Sequence, residues 1–143
     1  MHGRPAAGSV AEVAGLFADG IRAASPDATI TECLAAALRA TEVVMTAQRR
    51  TTAAQRGLVV SANSELQERA LLKHARIATS ITATLRERGA DELTARLGAE
   101  VGLLAFTVAF ERWLKSGDDE AFLSFVAPTL SDLQVRAAAL DAR

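Results

Sequence analysis

From Asp91 to Lys115 the chain carries two apolar rows at helical spacing, where a surface helix needs only one. Leu93, Leu97, Val101, Leu104 and Val108 make the first; Leu103, Phe106, Phe110 and Trp113 make the second. The polar strip is narrow, limited mainly to Arg96, Glu100, Thr107 and Glu111. A helix apolar on more than one side has to be covered on more than one side. It therefore sits at the centre of a bundle, or is shared between a core and a partner subunit.

The remaining sequence is suited to supply that cover with helices. Hydrophobic residues make up 50% of the chain, much of it alanine and leucine, while aromatics are 4% and tyrosine is absent. That mixture favours helix over sheet. One domain is expected over residues 9–143, since a chain of this size buries roughly 70% of the surface its unfolded form exposes. Residues 1–8, rich in glycine and holding Pro5, are expected as a disordered lead-in or linker remnant.

A first helix is predicted from about Ser9 to Ala24, on Val10, Val13, Phe17 and Ile21, stopped by Ser25, Pro26 and Asp27. Thr29 or Thr31 can cap a second, striped by Ile30, Leu34, Ala37, Leu38, Thr41, Val44 and Met45. A short third helix is expected from Thr51 to about Val60, with Arg49 and Arg50 marking the end of the second or the start of the third. Ser64 with Gln67 fits a capping box for a long fourth helix, which bears Leu66, Ala70, His74, Ile77, Ile81 and Leu85 and stops at Gly89. After the central helix, closed by Ser116, Gly117 and Asp118, a sixth carries Phe122, Phe125, Val126, Leu130 and Leu133, with a kink or break expected at Pro128. Six helices with short connections make an all-α antiparallel bundle the expected fold.

Charge and motif content narrow the function classes. A net charge of -1 provides no broad basic field for a polyphosphate. Cys33 is the single cysteine and there are two histidines, so neither a disulfide within the chain nor a cysteine-rich metal site is expected, and a reducing cytoplasm suits the composition. No metal or cofactor is expected, and neither export nor membrane spanning, as no 18 apolar residues run together. No phosphate loop, nucleophile elbow or paired-carboxylate pattern is present, so no catalytic residue is assigned and an enzyme is not expected. Cys33 reads as a small buried hydrophobe and His74 as a histidine at the core margin. Arg49, Arg50 and Arg56 read as solvated cations that could otherwise receive an anionic head group.

Gly98, Gly102, Ala105 and Ala109 lay small side chains along one side of the central helix, so that another helix backbone can come close. That partner can lie in the same chain. Together with the second apolar row, the stripe points to a twofold interface, with Trp113, and with Phe122, Phe125 and Leu133 of the sixth helix as companion surface.

The order of features from Ser61 to Lys115 carries a resemblance: Asn63, Ser64, Glu65 and Leu66 opening a long helix, a stop at Gly89, then an alanine- and leucine-rich helix closing in Arg112, Trp113 and Leu114. From about Val10 to Leu133 the chain resembles the C-terminal domain of TetR-family transcriptional regulators, particularly the branch similar to the mycofactocin-system regulator, associated with acyl-CoA-like ligands. The resemblance implies a homodimer through the fifth and sixth helices. It also implies a mostly apolar pocket among the first, second, fourth and fifth helices for a hydrophobic or amphipathic effector. Phe17, Ile21, Leu34, Leu38, Ile77, Ile81, Phe106 and Phe110 are the expected lining, with His74 as a polar anchor. In that family the domain follows a three-helix DNA-binding module. No helix-turn-helix pattern precedes Val10, so no direct nucleic-acid contact is expected of this chain. The alternative from another class is a stand-alone helical structural or protein-interaction module without a ligand.

Overall fold

A computed structural model of the chain describes residues 9–116 and 120–142. The lead-in expected over residues 1–8, and the Gly117 and Asp118 stop, lie outside the described residues. Among the described residues six α-helices follow one another: α1 (Val10–Ala23), α2 (Ile30–Ala40), α3 (Ala47–Ser61), α4 (Ser64–Glu87), α5 (Glu92–Lys115) and α6 (Val126–Ala139). Two 3-10 turns, Thr41–Val44 and Phe122–Phe125, lie before α3 and α6.

Side chains that satisfy free backbone amides fix most helix starts. Ser9 accepts from the Glu12 amide, Thr29 forms a reciprocal capping box with Glu32, and Asp91 accepts from the Thr94 amide. Two expected starts move. Thr46 accepts from the Arg49 amide, so α3 begins at Ala47 and takes both arginines into its first turn. Asn63 rather than Ser64 caps α4, accepting from the Leu66 amide. The second helix stops before its stripe does: Thr41–Val44 tightens into a 3-10 turn, and the buried Thr41 hydroxyl donates back to the Leu38 carbonyl.

At Gly89 the chain turns in the left-handed region, φ 101°. The Gly89 amide donates to the Arg86 carbonyl and the Ala90 amide to that of Leu85. Both bonds together make the Schellman closure that allows α5 to start three residues later and run back along α4. Pro128 neither kinks nor splits a helix. It occupies the first turn of α6, where its missing amide hydrogen would have had no intrahelical acceptor, and the irregularity is displaced to the 3-10 turn before it.

Helices α4/α5 and α5/α6 run antiparallel: Leu85 meets Gly98 while His74 reaches Glu100, and Arg112 meets Thr129 while Val101 shares a groove with Leu140. Alignment between α2 and α5 is the opposite: Ile30 and Leu34 meet Gly98 and Gly102 in the same order, so these two helices run alike. The core is continuous. Phe17 and Ile21 of α1, Leu34 and Leu38 of α2, Ile81 and Leu85 of α4, Leu103 and Trp113 of α5, and Phe122, Val126 and Leu130 all belong to it. Phe17 meets Phe106 edge-on at 5.2 Å between centroids, and Phe106, Phe110, Trp113 and Phe122 continue the aromatic cluster at 5.8–6.2 Å.

Polar clamps join helix ends. Arg22 of α1 forms a two-pronged pair with Glu87 of α4, at 3.0 and 3.1 Å. Arg88 donates to the Ile21, Ala24 and Ser25 carbonyls where the chain leaves α1. Arg112 donates to Thr129 and Asp132 of α6, and Gln134 of α6 donates to Thr31 of α2.

Two glycines of α1 make opposite predictions. A Cβ on Gly15 would meet nothing within 4 Å, whereas one on Gly20 would lie 2.6 Å from the Ala36 carbonyl oxygen and 2.9 Å from the Ala37 Cα. Gly15→Ala is expected to stabilise the fold by about 1 kcal/mol through helix propensity. Gly20→Ala is expected to destabilise it by about 1–3 kcal/mol, since two backbones must separate. Denaturant unfolding of both variants checks the pair; a stabilising Gly20→Ala would contradict the α1/α2 contact.

Candidate functional site

The residues expected to line a pocket separate into two groups. Phe17, Ile21, Leu34, Leu38 and Ile81 are 2% exposed or less and fill the interior against one another. Ile77, Phe106 and Phe110 are half-buried. His74 is not an interior anchor: its side chain is exposed, with Nε2 3.5 Å from a Glu100 carboxylate oxygen. The buried residues of α4 lie in its C-terminal half, and His74 and Ala70, one and two turns nearer its start, face solvent.

Phe106 and Phe110 remain partly open although both belong to the aromatic cluster. At its end the cluster meets a cation: the Arg50 guanidinium lies 5.8 Å from the centre of the Trp113 ring and donates to the Ser116 hydroxyl at 2.9 Å. Trp113 in turn donates its indole N–H to the Glu120 carbonyl. Arg49, the preceding residue, is partly buried; burial, and then the charge of Arg56, pull its guanidinium below its ordinary pKa, with Glu12 opposing. Among the described side chains of α3, none is fully buried. The aromatic cluster thus ends at a guanidinium, with Phe106 and Phe110 half-buried along it.

The expected twofold surface requires correction. A Cβ at Gly98 would lie 2.8 Å from Leu85 Cδ1 and 3.2 Å from Ile30 Cγ2, and one at Gly102 would lie 2.9 Å from Leu34 Cδ2. Ala105 and Ala109 are fully enclosed, and Trp113 and Phe122 are buried in the core. The stripe therefore admits α2 and α4 of the same chain, and Phe125 and Leu133 alone of the proposed interface residues keep some accessible surface. The surface that remains is the first apolar row, on the opposite side of α5: Leu93, Leu97 and Leu104 are 72%, 63% and 50% exposed.

Two grooves flank that row. Toward α6, Val101 and Leu104 face Leu133, Ala137 and Leu140 across about 290 Å³ of almost wholly apolar space. Toward α4, Leu93, Arg96, Leu97 and Glu100 face Ala75, Thr79, Thr82, Ala83 and Arg86 across about 670 Å³. The sequence held the signal for this face. Arg96, Glu100, Thr107 and Glu111 mark the outward side of the helix, and the leucines of the first row are interleaved with them. By length and composition alone, α5 is also a helix that could cross a membrane. Among the described residues no group of three or more His, Cys, Asp and Glu side chains could hold a metal, and Cys33 is buried and unbonded.

No protein-family model matches the chain, and no curated protein matches its sequence.

The α5/α6 face is fastened by Arg112, which holds the Asp132 carboxyl below its ordinary pKa of 3.8 chiefly through their hydrogen bond. Glu87 is lowered likewise by its bond to Arg22. A carboxylate with a depressed folded pKa contributes stability that is present above its unfolded value and lost as pH falls through the folded one. The thermal midpoint is therefore expected to drop as pH is lowered below about 4. Asp132→Asn should lower the neutral-pH midpoint and flatten part of that acid slope, followed by circular dichroism; an unchanged slope would remove Asp132 from the account.

Proposed function

We propose that the chain is the ligand-sensing and dimerising part of a TetR-type transcriptional regulator, and that its effector is an amphipathic anion with an apolar tail. The observation that carries this reading is the partly open aromatic surface of Phe106 and Phe110, which runs through Trp113 to the Arg50 guanidinium. An acyl chain would gain by covering the rings, while its anionic head would take the guanidinium in place of the Ser116 hydroxyl. Arg50 belongs to the first turn of α3, so an anion taken by its guanidinium would change how α3 meets the end of α5. A ligand with different affinities for the two arrangements shifts their populations, and in a regulator carrying DNA readers that shift would alter their spacing. The exposed Leu93, Leu97 and Leu104 row supports the paired state this requires.

A second reading has its own support. Five of the nine expected pocket residues are packed to 2% exposure or less, as in an association module whose interior is filled by its own side chains. Thermal stabilisation separates the two. At a hundredfold excess over its dissociation constant, a long-chain fatty acid or acyl-CoA should add about 2.7 kcal/mol of stability, and Arg50→Ala should weaken that gain while leaving the helical content intact. No shift across fatty acids, acyl-CoAs and planar hydrophobes would favour the association module.

A further inference from the structure

The exposed row of α5 is divided between two grooves: Leu104 opens toward α6, whereas Leu93 and Leu97 open toward α4. A paired state that uses α5 and α6 leaves the second groove free. Its α4 wall, from Ala75 to Arg86, carries only alanine and threonine before the arginine, which is about 17 Å or three turns of helix. No bulky side chain fills the 670 Å³ between that wall and the two leucines. Arg86 and Arg96 stand together toward the Gly89 end, level with the contact of Leu85 and Gly98. Both are exposed, and among the described residues neither side chain has an ion pair or hydrogen bond. Glu100, the acidic residue of the groove, is already matched with His74 near the other end. The surrounding sequence adds to the imbalance, since residues 47–86 hold seven Arg and Lys against two Glu in a chain of net charge -1.

We propose that the α4/α5 groove receives an amphipathic helix of another protein, about three turns long, with an aliphatic face and with Asp or Glu flanking that face where it meets Arg86 and Arg96. A small ligand is buried over most of its surface in its site, which a groove with mostly exposed walls cannot achieve. A helix needs only a furrow for one of its faces. The small side chains of α4 let its backbone come close, as Gly98 and Gly102 admit leucines of α2 and α4 on the inner side of α5. Leu93 and Leu97, one turn apart, meet apolar side chains repeating at the same interval. The two guanidinia select acidic flanks and repel basic ones. This inference goes beyond the sensor reading and does not rest on it.

Two labelled peptides of about 15 residues, long enough to begin to hold a helix, test it on the full chain. Both carry leucines at alternating three- and four-residue intervals; one is flanked by Glu and the other by Lys. In anisotropy titrations the Glu peptide should bind about tenfold or more tighter than the Lys peptide, and the Arg86→Glu/Arg96→Glu double variant should reverse the preference. Ala83→Trp, which fills the groove, should abolish binding of both, while circular dichroism shows unchanged helix in every variant. Equal binding of the two peptides, or a preference that survives the charge reversal, would overturn the proposal. Failure of the Glu peptide together with arginine-dependent binding to phosphatidylglycerol vesicles would assign the face to a membrane and overturn it as well. If sedimentation equilibrium shows a dimer that the double variant dissolves, a second copy occupies the groove; the proposal then fails and the paired-sensor reading survives.

Discussion

The approach of α5 to α2 and α4 is the contact on which the remaining structure depends. Gly98 and Gly102 offer no side chain where Leu85, Ile30 and Leu34 need the space, and Ala105 and Ala109 continue the same narrow edge. Leucines from two other helices thereby reach the middle of the bundle without a gap, and interior packing as dense as a crystal becomes possible with few aromatic residues. The bulky groups are displaced to one end, where Phe17, Phe106, Phe110, Trp113 and Phe122 form a continuous cluster. One end of the molecule is thus filled by aliphatic interdigitation and the other by rings meeting edge to face, a difference in shape that leaves the aromatic end with partial openings.

Much of the architecture was readable from local chemistry. Ser9, Thr29 and Asp91 cap where capping residues should, Gly89 takes the left-handed turn, and the bounds of α5 follow its apolar spacing to within a residue. What failed depended on neighbours far away in sequence. The stripe on α4 was continuous from Leu66 to Leu85, yet the buried residues of the helix lie in its second half. The end of α2 was misplaced because the buried Thr41 hydroxyl donates to the Leu38 carbonyl and the chain tightens into a 3-10 turn, which apolar spacing does not foretell. The side of α5 facing a partner was assigned to the small residues, although smallness only says that something comes close. Whether that neighbour belongs to the same chain is decided by tertiary packing, and here α2 and α4 arrive first.

The candidate site was legible in residue type and not in arrangement. Phe106 and Phe110 keep partial exposure, whereas Phe17, Ile21, Leu34, Leu38 and Ile81 fill the interior. Arg50 gained significance only from its place over Trp113, since a pair of arginines at the start of a polar helix resembles any solvated pair. His74 lost it for the converse reason: an apolar row predicts burial only if a partner helix extends along the whole row.

Arg88 binds three carbonyls at the close of α1 while Arg22 grips Glu87 next to it, and the Gly89 turn ties the same corner to the start of α5. Three helices are thereby pinned at one corner. At the other end of α5, Arg112 binds Thr129 and Asp132, Trp113 donates to the Glu120 carbonyl, and Arg50 of α3 reaches Ser116. The central helix is thus tied at its start to α1 and α4 and at its close to α3 and α6, so its two ends answer to different neighbours.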